Sequence, residues 1–238
     1  MIKSGRCAGI FLLLFCLSDF AQAPVAGRSR TFFRILAGDY LRKDYLDTLV
    51  KTRSPFRSVA SDTPQLVSVA IENGRPVLNT VFNFHEGGPE FLTRPDGSIA
   101  VKPGYGLKVA NPTFIAIDAQ HFRLGFDDFA PEVYSFVGNS GRYVADLVLA
   151  GEYVDQHSRH YVFAKDGNAT FPDRKFRYSV GMDHILNGFD YFQDDTAKKT
   201  YGFRRKGDIL DITHTSGAVG QNLEKTPFLS LRKCCVGR

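Results

Sequence analysis

The residues best suited to chemistry in this sequence lie in the stretch Asn83-Phe84-His85-Glu86, which two glycines follow. An imidazole beside a carboxylate is a common general acid/base pairing, because the imidazole titrates near neutral pH. Adjacent residues of a strand point to opposite faces, so His85 and Glu86 share a face only if the strand has ended, as Gly87 allows. The sequence therefore offers His85 and Glu86 as acid/base candidates, with a rim turn of solvated polar side chains as the alternative.

The other histidines carry weaker signals. His157 and His160 are three residues apart, which brings them together only in a loop or a helical turn, and no Cys or Glu at metal-ligand spacing supports them. Asp183 directly precedes His184. Convergence of His85 and Glu86 with another polar group, such as Asp183 or His184, around one concave pocket would indicate an enzyme. No metal site is predicted.

No motif in the sequence points to a cofactor. A phosphate-binding P-loop, a dinucleotide fingerprint, a His-Glu-x-x-His zinc motif and a Gly-x-Ser-x-Gly elbow are all missing from the chain. We therefore predict no cofactor. An enzyme is the least favoured of the functions considered.

The elements that must position these residues are β-strands separated by turns. Tyr161–Phe171 and Tyr201–Ile212 both have the pattern strand, turn, strand, with Asp-Gly or Gly-Asp at the turn, and the alternating run Phe176–Val180 lies between them. Further strands recur from Val67 onward at a spacing of about 8 to 12 residues. The pattern predicts an all-β fold built as an antiparallel meander, since few helices interrupt the strands.

One helix and one long strand stand out from this pattern. An apolar face recurs at helical spacing over Tyr40–Lys51, which predicts a helix with Asp39 as its N-cap. We expect this helix either to close one end of a barrel or to act as a lid over a ligand mouth. Apolar residues on both faces of Tyr143–Val154 predict a long strand that bends at Gly151.

The later strands resemble a known family. The patterns Tyr-x-Phe-x-x-Asp-Gly-x-Ala-Thr-Phe, Tyr-x-Val-x-x-Asp and Tyr-x-Phe-x-x-x-Gly-Asp-x-Leu-x-Ile, within Arg159–Thr213, are similar to the later strands of lipocalin-like (calycin) β-barrels of bacterial secreted proteins. The Gly-x-Trp signature of classical lipocalins is missing, because the chain has no Trp, and Gly38-Asp39-Tyr40 stands roughly in its place. The resemblance implies an up-and-down meander closed into a lipocalin-like barrel, with one short N-terminal helix.

Such a barrel would bind a small, largely apolar ligand against aromatic side chains. The chain has 21 Phe residues, many of them on alternating strands. His85 and Arg53 are predicted at the rim of the cavity. The predicted wall residues are Phe82, Phe84, Tyr134, Phe136, Tyr161 and Phe163.

The first residues have the order of a secretory signal peptide. Lys3 and Arg6 precede an apolar run and then small residues within Met1–Gly27, with cleavage expected between residues 21 and 27. The apolar run is shorter than the about 20 residues that span a bilayer, so we predict a secreted or periplasmic protein without a stable membrane span. The single domain predicted for residues 28–238 has no linker inside it.

Charge makes nucleic acid an unfavoured partner. The formal charge of the whole chain is +5, and removal of Lys3, Arg6 and Asp19 with the leader lowers it to +4. No groove of basic residues interleaved with stacking aromatics is evident. The dense basic run Arg204–Lys206 adjoins a turn. We expect a solvated turn there, with an anion site as the alternative.

Three functions remain open at this point. The first is a secreted barrel that binds a small hydrophobic molecule inside. The second is a structural or interaction protein whose barrel is filled by side chains, and the third is an enzyme that uses His85 and Glu86 as acid and base. The state of the barrel interior distinguishes the first function from the second.

Overall fold

The computed structural model describes two antiparallel sheets and a few short helices within one compact unit, Phe33–Arg238. The predicted leader, Met1–Gly27, lies outside the described residues. These residues are 35–59, 66–72, 77–94, 98–102, 110, 112–127, 129–184, 187–216 and 222–234. The helices among them are α1 (Lys43–Thr52), α2 (Pro55–Ser58) and α3 (Ser140–Val148).

The first sheet is open and is called here the open sheet. Its strands are β1 (Gly38–Arg42), β2 (Leu66–Ile71), β3 (Val77–Phe82), β4 (Glu86–Gly87), β5 (Phe91–Thr93), β6 (Ile99–Val101), β7 (Thr113–Ala116), β8 (His121–Phe126) and β9 (Phe129–Gly138). They follow the order β6-β5-β3-β2-β1-β9-β8-β7, with β4 beside β3. Within the described residues β6 and β7 are its two edges. The sheet is nearly closed but is not a complete barrel, because β6 and β7 do not pair with each other within the described residues.

The second sheet is an eight-stranded closed barrel. Its strands are β10 (Gly151–Val154), β11 (His160–Phe163), β12 (Asn168–Thr170), β13 (Lys175–Val180), β14 (Tyr191–Asp194), β15 (Lys199–Lys206), β16 (Ile209–Ser216) and β18 (Leu229–Lys233), while β17 (Asn222–Leu223) pairs with β16 outside this ring. Each strand pairs with the next along this series, and β18 pairs with β10. The predicted antiparallel meander and its closure into a barrel are therefore confirmed.

Strict alternation of buried and exposed residues explains which side chains of the barrel strands point into the barrel. In β13, Phe176, Tyr178 and Val180 are buried while the residues between them are exposed. The inward rings meet around Phe163, whose centroid lies 6.1 Å from Tyr153, 5.7 Å from Phe171, 5.2 Å from Tyr178 and 5.6 Å from Phe192. Each of these five aromatic side chains is at most 8% exposed, so they occupy the middle of the barrel.

The predicted N-terminal helix is present, but its start and its cap were wrong. Helix α1 begins at Lys43, because Tyr40 and Leu41 belong to β1 and pair with both β2 and β9. Its N-cap residue, Arg42, makes no side-chain capping bond. Asp39 caps another helix instead: its Oδ2 accepts hydrogen bonds from the backbone N and the Oγ of Ser140, both at 2.8 Å, in the first turn of α3.

The long strand predicted over Tyr143–Val154 was wrong in its first part, while its last part, Gly151–Val154, is strand β10. The first part is α3, whose N-cap Asn139 accepts a hydrogen bond from the backbone N of Arg142 at 2.8 Å. Val144, Ala145 and Val148 are its buried residues, and their spacing fits one face of a helix. The prediction of a single helix and a single barrel thus missed α2, α3 and the separate open sheet.

Candidate functional site

The predicted acid/base candidate His85 makes its charged contact with Asp183, not with Glu86. Nδ1 of His85 lies 2.7 Å from Oδ2 of Asp183, although the two residues are 98 positions apart. The contact joins the open sheet to the connection between β13 and β14 of the barrel. Glu86 lies on β4, where it is exposed. We call the set Tyr45, His85, Asp183, His184 and Asp190 the junction cluster.

A strained turn aims His85 at Asp183. Asn83 and Phe84 have φ values of 47° and 60°, in the left-handed region that residues other than Gly adopt at an energetic cost. The backbone N of His85 donates to the carbonyl of Phe82 at 2.9 Å, and the Phe84 ring packs on Tyr45 at 5.2 Å. These contacts hold the turn in a conformation that local sequence preference does not favour.

The pKa values of the two histidines in the junction cluster are shifted in opposite directions. The hydrogen bond from His85 to Asp183, followed by the charge of Asp183, raises the pKa of His85 above its ordinary value. Burial lowers the pKa of His184 to about 4, and backbone groups of Phe189 and Asn187 oppose part of this shift. His184 is therefore neutral at pH 7, while the cationic form of His85 is favoured.

The surroundings of His184 explain its neutral form. Its ring lies 5.6 Å from the ring of Phe56 and 5.7 Å from that of Tyr191, edge to face in both cases. Both of its ring nitrogens are buried, and neither has a hydrogen-bond partner within the described part of the chain. An imidazolium in this place would lack water at its ring nitrogens, and the nearby charge of Asp183 offsets only part of that cost.

Asp190 and Tyr45 complete the junction cluster. Asp190 accepts a hydrogen bond from the backbone N of Phe56 at 2.8 Å and another from Ser54, yet burial raises the pKa of its carboxyl group. Burial and the charge of Asp190 raise the pKa of the Tyr45 phenol, whose buried oxygen has no partner among the residues described. Groups with perturbed pKa values concentrate at functional sites, which makes this junction the strongest cluster found by that criterion.

The chemical capacity of the junction cluster is proton exchange. His85 and Asp183 meet, and both side chains are 38% exposed. Glu86, which the acid/base hypothesis also places in the pocket, is exposed on β4 and takes no part in this contact. Their use in catalysis stays a prediction. Among the residues that the structure describes, no group of three or more His, Cys, Asp or Glu could hold a metal ion.

The predicted wall residues lie in three different places. Tyr161 and Phe163 are buried inside the closed barrel, at 4% and 1% exposure. Tyr134 is buried in the open sheet, where its hydroxyl donates to the carbonyl of Leu66 at 2.9 Å. Phe82 and Phe136 pack against the same core from partly buried positions, and Phe84 belongs to the junction turn.

The predicted rim residue Arg53 lies at a cleft. This cleft, of about 460 Å³, is also lined by Arg205 and Lys233. Sequence reasoning treated the run that contains Arg205 as a solvated turn and did not consider Lys233. The signal was present in the run Arg204–Lys206, but the cleft forms only when β15 and β18 meet Arg53 in space.

The groove beside His157 has a structural explanation. It measures about 860 Å³ and includes the turn after β10. Although burial opposes the shift, hydrogen bonds from Arg159, His157 and Tyr161 lower the pKa of Asp155 to about 2. This carboxylate accepts from the backbone N of His157 at 2.9 Å and from Nε of Arg159 at 2.7 Å. It therefore organises the hairpin turn.

No protein-family model, curated protein or solved structure matches this chain. What the structure shows is the architecture, an eight-stranded antiparallel barrel in up-and-down order. None of the helices in the described ranges is long and apolar enough to cross a bilayer.

Proposed function

We propose that this protein is an exported interaction protein, in which the closed barrel is a filled scaffold and partners bind outside it. The observation that carries this proposal is the packing around Phe163, whose ring contacts four other buried rings in the barrel centre. Protein interiors packed in this way have few voids larger than a water molecule. A ligand in the barrel would have to displace these side chains.

The proposal includes a distant relationship to lipocalin-like proteins. The up-and-down order of β10 to β18 supports it, and the filled interior would then be a departure from a ligand-binding cavity. Export is supported by the order of charged, apolar and small residues in Met1–Gly27. N-terminal sequencing of the protein secreted by its source would find a start between residues 22 and 28 if export and the predicted cleavage hold.

A cavity-creating variant tests the filled scaffold. Native mass spectrometry of the wild-type protein should show no retained lipid, and titration with benzene should show no binding. Phe163→Ala should gain benzene binding, because an apolar cavity left by an aromatic side chain stays dry and accepts small apolar molecules. Phe129→Ala, at a side chain 40% exposed, is the matched control and should gain none. Stoichiometric retention of an apolar molecule in the wild-type barrel would contradict the proposal.

A second candidate is the binding of a small, largely apolar molecule at the open sheet. A row of rings runs from its core to its surface: Phe91 to Phe126 at 5.5 Å, Phe126 to Phe129 at 5.1 Å and Phe129 to Phe82 at 5.7 Å. Phe129 is the exposed ring of this row, and Phe82 packs beside it from a partly buried position. If a neutral dye such as Nile red binds here, Phe129→Ala should abolish binding while Phe228→Ala, at another exposed ring, should preserve it.

A further inference from the structure

Two clefts at one end of the closed barrel share a pair of arginines. Arg53 and Arg205 line both the cleft of about 460 Å³, here called the Lys233 cleft, and a neighbouring cleft of about 270 Å³, here called the Asp190 cleft. Lys165 also lines the first of these. Both clefts are open to solvent.

The positive charge of the chain is concentrated around these clefts. Carboxylates that line them are Asp146, Glu152 and Asp190. Against these three acids stand seven cations, namely Arg53, Arg57, Lys165, Arg204, Arg205, Lys206 and Lys233. The excess of four positive charges is nearly the formal charge of +5 carried by the whole chain. The Lys233 cleft by itself has four cations against two carboxylates, and a cleft with an excess of one sign of charge attracts ions of the opposite sign.

Helix α3 fixes the two arginines in place. Nη1 of Arg53 donates to the carbonyl of Leu147 at 3.1 Å, and Nη1 of Arg205 donates to the carbonyl of Val148 at 2.9 Å. These carbonyls lie at the negative end of the helix, which favours a nearby cation. A guanidinium has five N–H donors, so each arginine keeps donors for a ligand after it has made these bonds.

The same cations are not neutralised by carboxylates. Within the described residues, Arg53, Arg205 and Lys233 form no ion pair at 4.0 Å or less. Burial and then the positive charges of Arg205 and Arg53 lower the pKa of Lys233, and Asp208 opposes this shift. The three side chains therefore lie close enough to repel one another, and a bound anion would relieve that repulsion.

Gly151 allows Lys233 to lie at the cleft. A Cβ atom at Gly151 would stand 3.0 Å from Cε and 3.5 Å from Nζ of Lys233. The side chain of Lys233 thus passes close to the backbone at Gly151, where a residue with a side chain would crowd the lysine. Its ammonium group is held on the same cleft as the two guanidinium groups.

We propose that the Lys233 cleft binds a small organic oxyanion, bearing a phosphate or carboxylate group, through Arg53, Arg205 and Lys233. Guanidinium groups match both of these oxyanions in planar, bidentate geometry. The volume of about 460 Å³ lies within the range of small-molecule sites. This inference does not rest on the filled barrel.

The ligand also carries hydroxyl groups. Asp146 lines the same cleft, and its Oδ1 is buried without a hydrogen-bond partner among the residues described. A second carboxylate, that of Glu152, lines this cleft as well. A ligand with an oxyanion at one end and hydroxyl donors at the other would satisfy both the cations and the carboxylates of the cleft. A sugar phosphate and a hydroxy acid are ligands of this kind.

Calorimetric titration of the mature protein at low ionic strength tests the site with glucose 6-phosphate, citrate and inorganic phosphate. Binding of either organic anion is expected, and the arm that binds identifies phosphate or carboxylate as the recognised group. The double variant Lys165→Ala/Lys233→Ala should weaken that binding by about tenfold or more, since it removes charge-assisted hydrogen bonds. It keeps both arginines, so its melting temperature should change little.

The matched control is Lys175→Ala/Lys198→Ala, which removes two exposed lysines that do not line the cleft. It should change the affinity less than about twofold, because these lysines do not line the cleft and can make no hydrogen bond to a ligand there. Three results would overturn the site: no binding of either organic anion, an equal loss in the control variant, or binding of inorganic phosphate as tight as that of the organic anion that binds. Retention of an apolar molecule in the barrel would overturn only the filled scaffold.

Discussion

The closed barrel and the open sheet use similar aromatic strands, but only the barrel eliminates its own edges. In the barrel each strand pairs with the next and β18 pairs with β10, so every strand of the ring has two neighbours. In the open sheet, the edge strands among the described residues are β6 and β7. Strand β6 has only three residues, and Ile115 of β7 is 51% exposed. Short edge strands are one means by which proteins limit unwanted pairing.

Regularity of pairing separates the two regions further. The registers of the open sheet shift within the pairs β1–β9, β2–β3 and β8–β9. Such bulges bend a strand and increase its twist. The barrel pairs show no register shift among the residues described. We infer that closure depends on strand pairs that keep an unbroken register, while bulges let the open sheet curve around its core.

The largest expected effect compares the central rings of the two regions. Phe163 contacts four rings in the barrel, and Phe122 contacts Tyr40, Phe114 and Tyr134 in the open sheet. Phe163→Ala should lower the free energy of unfolding by about 3–5 kcal/mol, and Phe122→Ala by less, because an open sheet can relax into the cavity. Urea denaturation measures both. A larger loss for Phe122→Ala would reverse the comparison.

Acid should destabilise the barrel side of the junction next. With a folded pKa of about 4, His184 binds a proton less readily in the folded state than in the unfolded state. Stability should therefore fall as the pH drops from about 6.5 to 4, by on the order of 2–3 kcal/mol. His184→Phe should remove most of this loss, as measured by urea midpoints across that range. His214→Phe, at an exposed histidine, is the control, and an identical loss in both variants would exclude His184 as its source.

Asp39 connects the two regions and should have an intermediate effect. Asp39→Ala removes the acceptor of two hydrogen bonds from Ser140, at the start of α3. Loss of a capping acceptor should cost about 1–2 kcal/mol in thermal or urea unfolding. Asp39→Asn keeps an acceptor oxygen and should cost less. Equal stability of both variants and the wild type would show that this connection contributes nothing.

The smallest effect concerns the other connection, His85 with Asp183. The raised pKa of His85 means that its contribution to stability is present below the unfolded pKa and is lost as the pH rises through the folded pKa. Because both side chains are partly exposed, the effect on stability should be small. The pKa of the imidazole is therefore measured directly, by NMR titration. The measured pKa should lie above 6.5 and return toward that value in Asp183→Asn. The variant Glu86→Gln should change it less, since Glu86 is the lesser influence.

The sequence predicted the barrel better than the open sheet for a physical reason. Strict alternation in β13 and the Asp-Gly turn after β11 are local signals, and a meander converts local signals into spatial neighbours. The open sheet pairs β1 with β9, about a hundred positions away, and no local pattern encodes that contact. The apolar residues of α3 fit both the alternation of a strand and the spacing of a helix. The N-cap at Asn139 is the local feature that favours the helix.

The candidate site was predicted only in part. His85 could be selected because it has an unusual local context, but its partner Asp183 lies 98 positions away and its chain neighbour Glu86 is not that partner. The cleft around Arg53 needs β15 and β18 side by side, which follows from closure and not from spacing. Residues that a strand pairing brings together are thus the part that a single sequence does not reveal.

Closure by β18 also sets the order of events during synthesis. Tyr153 and Val154 of β10 pair with Lys233 and Arg232, so the ring cannot be completed until the segment Leu229–Lys233 has been synthesised. Contacts between distant segments of this kind slow folding. Lys233 arrives with that closing strand. The proposed oxyanion cleft therefore comes into being at the same moment as the barrel, and a bound anion would slow the detachment of β18.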